Sequence, residues 1–290
     1  MPFGTNSEYG QLDSVLLHRP GPETGTYPDP SRIQHLAPID HHALMCEFDA
    51  VIACFENLGI VVNLIDPTPV NEDTWYHYNL MYCRDLFFMT PHGAIMASMA
   101  NAIRRAEPLY AARSLESLGI PLLYSVTGDG RFEGADALWL NEHVVVIGVG
   151  NRTNQQGYEQ IRAVLEQQGV SCVALPSCQS VTQHLLGSVQ IVDRNLALVR
   201  DKIIDCDISR FLRESGFEMV AIPESSEVHL RQSMNIVTIA PRTVIMTSCC
   251  TETRKMYLKA GLKIAAELDI TQLMCGAGGL ACATGIVARC

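Results

Sequence analysis

The chain is sparing with charge and with aromatic rings. Charged residues fill 18% of its 290 positions, and Phe, Trp and Tyr together 7%. Bases are the scarcer sign: 21 Lys and Arg stand against 31 Asp and Glu, for a formal net charge of -10. That balance excludes a general attraction to nucleic acid or to an anionic membrane, which clustered cations would have to supply. The sequence has no apolar run of about 18 residues, so no membrane-spanning helix is expected. The opening MPFGTNSEYGQ has no basic stretch followed by an apolar core, so no secretory leader is expected. CxxC pairs are absent, and no two Cys or His groups stand at finger-like spacing, so neither a metal nor a cofactor is expected. His41 and His42 are adjacent and would point apart on a helix.

What is present is apolar bulk. A hydrophobic share of 48% fits a folded globular chain and excludes a disordered one. A length of 290 residues allows one large core, and we expect a single domain over residues 1–290. The eleven cysteines, in a chain of this length without a leader, read as reduced thiols in the cytoplasm. Cys46, Cys54, Cys83, Cys172, Cys178 and Cys206 read as small core residues.

The order of the chain is repetitive. ENLGIVVNLID, ESLGIPLLYSV, EQQGVSCVALP, RESGFEMVAIP and YLKAGLKIAAEL each end a helical segment, place a glycine and run into apolar residues. Gly59, Gly119, Gly169, Gly216 and Gly261 thus read as left-handed residues closing a helix before a strand. Before each helix lie two apolar runs joined by a tight polar turn: LFFM–AIMAS, ALWL–VVVIGV, VQIV–LALVR and IVTIA–VIMTS, all read as hairpins. The fifth hairpin is split between GIVAR near the C-terminus and SVLLHR at residues 14–19, which would join both ends of the chain. The fold class is therefore α/β, as five ββαβ units in a closed, propeller-like ring that hides its strand edges. An open α/β sheet is the weaker alternative, because its strands and helices would alternate singly.

Just before the first hairpin strand of each unit stand CRD, EGAD, QHLLG, RQSMN and LAC. They carry Asp85, Glu133 and Asp136, His184, Asn235, and Cys282. Equivalent positions in a ring converge on its axis, so carboxylates, a histidine and a cysteine should share one central pocket. Cys282 lies in GAGGLACATG, where small neighbours would let a substrate reach its sulfur. A thiolate is a strong nucleophile once a histidine or a cationic substrate lowers its pKa. Histidine can move protons, and carboxylates suit the planar fork of a guanidinium. The set points to attack on a guanidinium carbon. Taken singly, each residue has an ordinary reading: a core cysteine, a satisfied structural histidine, an Asp85–Arg84 surface pair, a turn-capping Asp136. Their shared place in the repeat is what weighs against that.

SEYGQLDSVLLHRPGPE, YCRDLFFM, FEGADALWL, VIGVGNRTNQQG, QHLLGSVQIVD and GAGGLACATGIVAR resemble the guanidino-group modifying enzyme superfamily of arginine deiminases, dimethylarginine dimethylaminohydrolases, agmatine deiminases and amidinotransferases. The resemblance covers nearly the whole chain. It implies a fivefold pseudosymmetric β/α propeller, the pentein fold, and an enzyme of arginine metabolism. It implies Cys282 as the nucleophile of a covalent amidino-thioether and His184 as general acid and base. Glu133 would bind the guanidinium and orient His184, and Asp85 would hold the guanidinium. Asp136 would be the second acid of the same EGAD motif, supporting the substrate-binding set, and Arg152 would grip a substrate carboxylate; a surface arginine at a helix start is the ordinary reading of Arg152.

The chain departs from the family pattern in two places. Many relatives have His-x-Asp where this chain has His184-Leu185-Leu186, so Leu186 replaces a second guanidinium clamp, as in the dimethylaminohydrolases. The strand after the RD motif often carries a carboxylate-binding arginine; Ser98 stands there, leaving Arg104 or Arg105 as substitutes or the tail held in another way. The length resembles the compact members, since classical arginine deiminases and amidinotransferases are longer. The expected activity is C–N hydrolysis on a linear amidine, giving a ureido product such as citrulline plus ammonia or an amine. The substrate's own positive charge would supply the activation that a metal gives elsewhere. An amidinotransferase is the alternative, a non-catalytic guanidine-binding protein the alternative of another class, and a thiol redox protein using Cys249, Cys250 and Cys290 a third. The expected partner is a small guanidino molecule, with homo-oligomerisation left open.

Overall fold

The computed structural model describes residues 3–70, 77–177 and 182–290. Its strands are β1 (Leu12–Leu17), β2 (Val61–Leu64), β3 (Phe87–Thr90), β4 (Gly93–Met96), β5 (Leu122–Ser125), β6 (Ala137–Asn141), β7 (Val144–Val149), β8 (Ser171–Pro176), β9 (Val189–Asp193), β10 (Leu196–Arg200), β11 (Glu218–Ile222), β12 (Val237–Ala240), β13 (Thr243–Thr247), β14 (Lys263–Leu268) and β15 (Gly285–Arg289). They form five three-stranded sheets, ordered β15-β1-β2, β3-β4-β5, β6-β7-β8, β9-β10-β11 and β12-β13-β14. In each, the first two strands pair antiparallel and the second pairs parallel with the third. A parallel partner needs a crossover. The helices His41–Asn57, Glu107–Ser117, Gln155–Glu166, Cys206–Glu214 and Thr251–Lys259 supply it, one per sheet. This is the fivefold α/β ring of the pentein fold.

Local chemistry sets the unit boundaries. Asp40, Asn154 and Asp205 accept backbone N–H groups at three helix starts, filling donors that the first turn leaves open. Gly59, Gly119, Gly169 and Gly216 follow four helices with φ between 74° and 84°, and a Cβ at any of them would meet nothing within 4 Å. Backbone conformation alone therefore demands glycine there.

The middle strand of a unit is a continuous buried run, as in β4 and β10. The third strand is partly exposed, and β14 alternates between exposed and half-buried residues. Apolar burial thus concentrates on the inner hairpins. Units also interlock: Trp139 of β6 stacks on Phe88 of β3 at 5.6 Å between ring centroids and donates its Nε1–H to the Met89 carbonyl at 3.1 Å.

The split fifth hairpin closes the ring. β1 and β15 pair with Leu12 opposite Arg289 and Leu16 opposite Gly285. Glu8 reaches inward from the N-terminal segment, where both carboxylate oxygens meet Arg84 Nη2 at 3.0 Å. The pair is buried. Arg84 is thus bound to Glu8, which leaves the neighbouring Asp85 to another partner.

Candidate active site

The five equivalent stretches do converge. CRD, GAD and LLG form short 3-10 turns at Cys83–Asp85, Gly134–Asp136 and Leu185–Gly187, and LACA forms a short helix at Leu280–Ala283. Asp85, His184, Asn235 and Cys282 line one cavity of about 290 Å³, with Arg104 and Leu186 in its wall. Glu133 lies directly behind this lining and is fully buried.

His184 Nε2 meets Glu133 Oε2 at 2.6 Å. With Nε2 so occupied, Nδ1 is the ring nitrogen left for chemistry, and it lies 3.8 Å from Asp85 Oδ1. Burial by itself would lower the imidazole pKa, but the charge of Asp85, the hydrogen bond to Glu133 and the charge of Asp136 outweigh it and raise the value. Glu133 moves the other way. Burial opposes its charge, but His184, Arg104 and Arg152 hold it below the ordinary carboxylate range. The pair therefore rests as imidazolium and carboxylate.

Asp85 is split between two tasks. Its Oδ2 accepts from Arg104 Nη1 at 2.6 Å, whereas its buried Oδ1 has no hydrogen-bond partner. A buried carboxylate oxygen without a donor is costly, so a cationic N–H donor entering the cavity would find an acceptor already placed. Arg104 is also bonded through Nε to Glu107 at 2.8 Å. Burial works against its charge, but Glu107, Asp85 and Glu133 keep it firmly cationic.

Cys282 is half-buried, and its Sγ accepts from Asn235 Nδ2 at 3.0 Å. Burial and then the charge of Asp85 push the thiol pKa up; the Gly279 backbone, Asn235 and Arg104 pull against them without reversing the shift. The balance favours the thiol form.

The small residues before Cys282 have a structural cause that the sequence reading did not give. A Cβ at Gly276 would sit 2.2 Å from the Tyr82 hydroxyl, and one at Gly278 2.1 Å from the Tyr82 ring. A Cβ at Gly279 would sit 2.8 Å from Asn235 Cγ. Glycine lets Tyr82 and Asn235 reach the backbone beside the nucleophile. Tyr82 uses that approach: its hydroxyl donates to the Leu273 carbonyl at 2.8 Å and accepts from Gly278 N–H at 3.2 Å. Gly276 and Gly278 also line the cavity, so open access to the sulfur and close packing share the same cause.

Three residues expected at a substrate do not line the cavity. Glu133 is one: its oxygens are taken by His184, the Ala100 N–H and Arg152, so it orients His184 rather than holding a guanidinium. Asp136 is buried and accepts from Thr153 Oγ1 at 2.7 Å and from Leu185 N–H at 2.9 Å. It ties the turn after His184 to the preceding unit and holds it in place. Arg152 faces Glu133 Oε1 at 3.4 Å and bonds Gln183, so its guanidinium backs the His184–Glu133 pair. Arg105 is exposed, and Ser98 is in an isolated bridge with Phe132. Asn235, Tyr82 and Arg104 are additions to the site. The repeat position marked Asn235, and Arg104 stood among possible tail binders, but neither its pairing with Asp85 nor Tyr82 had a sequence signal.

Among the described residues, two groups place three donor atoms within 4.8 Å of one another: Asp85, Glu133 and His184 in the cavity, and Asp205, Cys206 and Asp207 near the surface. The first suits a cation of any kind, although a protonated His184 offers no lone pair to a metal. Of the other cysteines, Cys83 is buried, but Cys46 and Cys206 are exposed on helices rather than in the core. Cys178 lies outside the described residues. Cys249 and Cys250 do not line the cavity, and the Cys290 thiol meets Asp13 at the surface. No helix among the described residues is long and apolar enough to cross a membrane.

The comparisons with known proteins agree with this geometry. A family model described as arginine deiminase matches residues 76–210. An uncharacterized protein of Aeropyrum pernix is 25% identical over 65% of each chain, so the match spans just under two thirds of that relative. The N(G),N(G)-dimethylarginine dimethylaminohydrolase of Streptomyces coelicolor is 23% identical over 85% of this chain and 86% of its own. Among solved structures, the dimethylarginine dimethylaminohydrolase of Pseudomonas aeruginosa complexed with citrulline superposes with a TM-score of 0.76 at 18% identity, covering 94% of this chain and 98% of that one. The amidinotransferase SxtG of Microseira wollei does so at 0.79 and 16% identity, covering 100% and 98%. In its five-sheet ring and its ordered set of site motifs, the chain is similar to the guanidino-group modifying enzyme superfamily.

Proposed function

We propose that the chain is a cysteine-dependent hydrolase acting on the guanidinium carbon of arginine or a substituted arginine, as a single catalytic domain. The observation that carries this is the meeting, in one cavity, of the Cys282 thiol, the Glu133-bound His184 and the unpartnered Oδ1 of Asp85. A guanidinium fits that oxygen as an N–H donor and brings a positive charge beside a thiol that burial has kept protonated. The arriving charge favours the thiolate, so the Sγ–H bond breaks on binding and, with His184 already protonated, its proton leaves to solvent. Sγ then bonds to the guanidinium carbon. The imidazolium of His184 gives its proton to the departing nitrogen, and ammonia or an amine leaves. A covalent amidino-thioether remains. Neutral His184 takes a proton from water, the hydroxide adds to the same carbon, and the carbon–sulfur bond breaks to release a ureido product.

The supporting groups follow from the geometry. Glu133 orients the imidazole and sustains its charge, Arg104 fixes Asp85, and Arg152 and Asp136 brace that assembly. Leu186 offers no clamp to one side of the guanidinium, which supports a substituted nitrogen as well as a bare one. The free thiols fit a reducing compartment such as the cytoplasm.

Intact-protein mass after rapid acid quench tests the reading, with arginine, methylated arginines, agmatine and guanidino acids offered to wild type and to Cys282→Ser. An amidino adduct on wild type alone, with a ureido product, is the expected result. Product only in the presence of an added amine would make the chain an amidinotransferase. No adduct and no turnover with any guanidine would sink the catalytic reading.

A further inference from the structure

The contact between Asn235 and Cys282 carries an inference about how the nucleophile is held. The Asn235 Oδ1 accepts two backbone N–H groups, from Ala281 at 2.7 Å and from Cys282 at 3.2 Å. Those bonds fix the orientation of the amide, because the opposite orientation would set its NH2 against two donors. Nδ2 is thereby aimed at Sγ, at 3.0 Å. Gly279 makes the approach possible, since a Cβ there would lie 2.8 to 2.9 Å from the Asn235 side chain. The amide is neutral and can only donate toward the sulfur.

We infer that Asn235 is a positioning residue for the nucleophile: one end of its amide anchors the short helix bearing Cys282, and the other offers an N–H to the sulfur that is worth most once the thiol has ionised. The inference deepens the proposed function, resting on Cys282 as nucleophile, and names a device that none of the acids supplies. The other groups acting on the sulfur are Asp85, which opposes ionisation, and Arg104 and the Gly279 backbone, which favour it. Tyr82 also lies within electrostatic reach. Asn235 is the side chain among these that touches Sγ and bonds the Cys282 backbone as well.

Asn235→Asp separates the two roles. The carboxylate keeps the acceptor for the Ala281 and Cys282 N–H groups and nearly the same volume, but turns an anion toward the sulfur. Iodoacetamide labelling of Cys282 would be followed by peptide mass spectrometry across pH, together with thermal unfolding. The expected result is an unfolding temperature near wild type, a labelling midpoint moved to higher pH, and labelling at neutral pH slowed about tenfold or more, one unit of pKa being a factor of ten. A wild-type pH profile in folded Asn235→Asp would overturn the inference and leave Asn235 a scaffold residue only. If that variant does not fold, Gly279→Ala displaces the amide without adding charge. It should shift the midpoint the same way, and an unchanged midpoint would overturn the inference equally. Labelling needs no turnover, so a chain that processed no guanidine would still answer the question.

Discussion

The two sides of the cavity do the same job by different physics. On the acid side, Asp85, Arg104, Glu107, Glu133 and His184 are all buried, and each is held by a partner of opposite charge. On the thiol side, Cys282 is held by a neutral amide and by backbone brought close through glycines. Buried charges are expensive unless paired, so the acid side is a network in which every deletion strands a partner. The thiol side contains no charge of its own, and its demand is steric. Equivalent places in a fivefold repeat have therefore become an electrostatic wall and a close-packed wall facing each other, and the unpaired Oδ1 of Asp85 lies where the first faces the gap.

That contrast can be broken from either side. Glu133→Gln should have the largest effect. It keeps a hydrogen-bonding amide but removes the charge that sustains the His184 imidazolium, and loss of a positioned proton donor costs about 10²- to 10⁴-fold in rate. The pH dependence carries a sign. His184 titrates above its ordinary value when folded, so its stabilising contribution is fully present below about pH 6.5 and is lost as pH rises through the folded value. In Glu133→Gln the folded value falls, so the alkaline decline of the urea midpoints, which begins near the unfolded value in both proteins, should be smaller and end at lower pH than in wild type. An unchanged decline would show that Asp85 and Asp136 alone hold the proton.

Arg104→Met tests the network itself. It leaves Asp85 and Glu107 buried without their cation, and breaking a buried pair in this way costs about 3 to 5 kcal/mol. Chemical denaturation measures it, and a loss below about 1 kcal/mol, the range of an exposed pair, would contradict the network description.

The steric side should respond more mildly. Gly278→Ala places a methyl against the buried Tyr82 ring, an overpacking cost of about 1 to 3 kcal/mol. Removing the ring in a Gly278→Ala, Tyr82→Leu double variant should recover part of it, which the same denaturation series would reveal. Smallest of all, Gly119→Ala has space for its methyl but not the backbone conformation, with φ at 75°. Its cost should be about 1 kcal/mol. A similar loss at Gly278 and Gly119 would mean that the close-packed wall is no more demanding than an ordinary helix end.

The repeat was legible because each unit spells its own local rules. A helix-ending glycine, two apolar runs and a polar turn recur, and both backbone conformation and hairpin pairing follow from short stretches. The split hairpin was legible for the same reason, since GIVAR and SVLLHR each lacked a neighbouring partner. The repeat also named Asp85, Glu133, His184, Asn235 and Cys282 as one constellation. It could not say which of them face the cavity. Asp136 looked like another substrate acid, yet its oxygens are taken by Thr153 and the Leu185 N–H.

By itself, then, the sequence determined the five units, their order and the residue types at the ring axis, because those depend on propensities and patterns that a local window contains. Tertiary structure alone decided the pairings: Arg84 with Glu8 across 76 positions and Asp85 with Arg104, Tyr82 against Gly278 across 196 positions, and Asn235 on Cys282 across 47. Which acid is neutralised, which oxygen stays free and which amide reaches the sulfur depend on distances between side chains that no local window brings together, within a unit for Asp85 and Arg104 and between units for the others. Those distances exist only once the ring has closed.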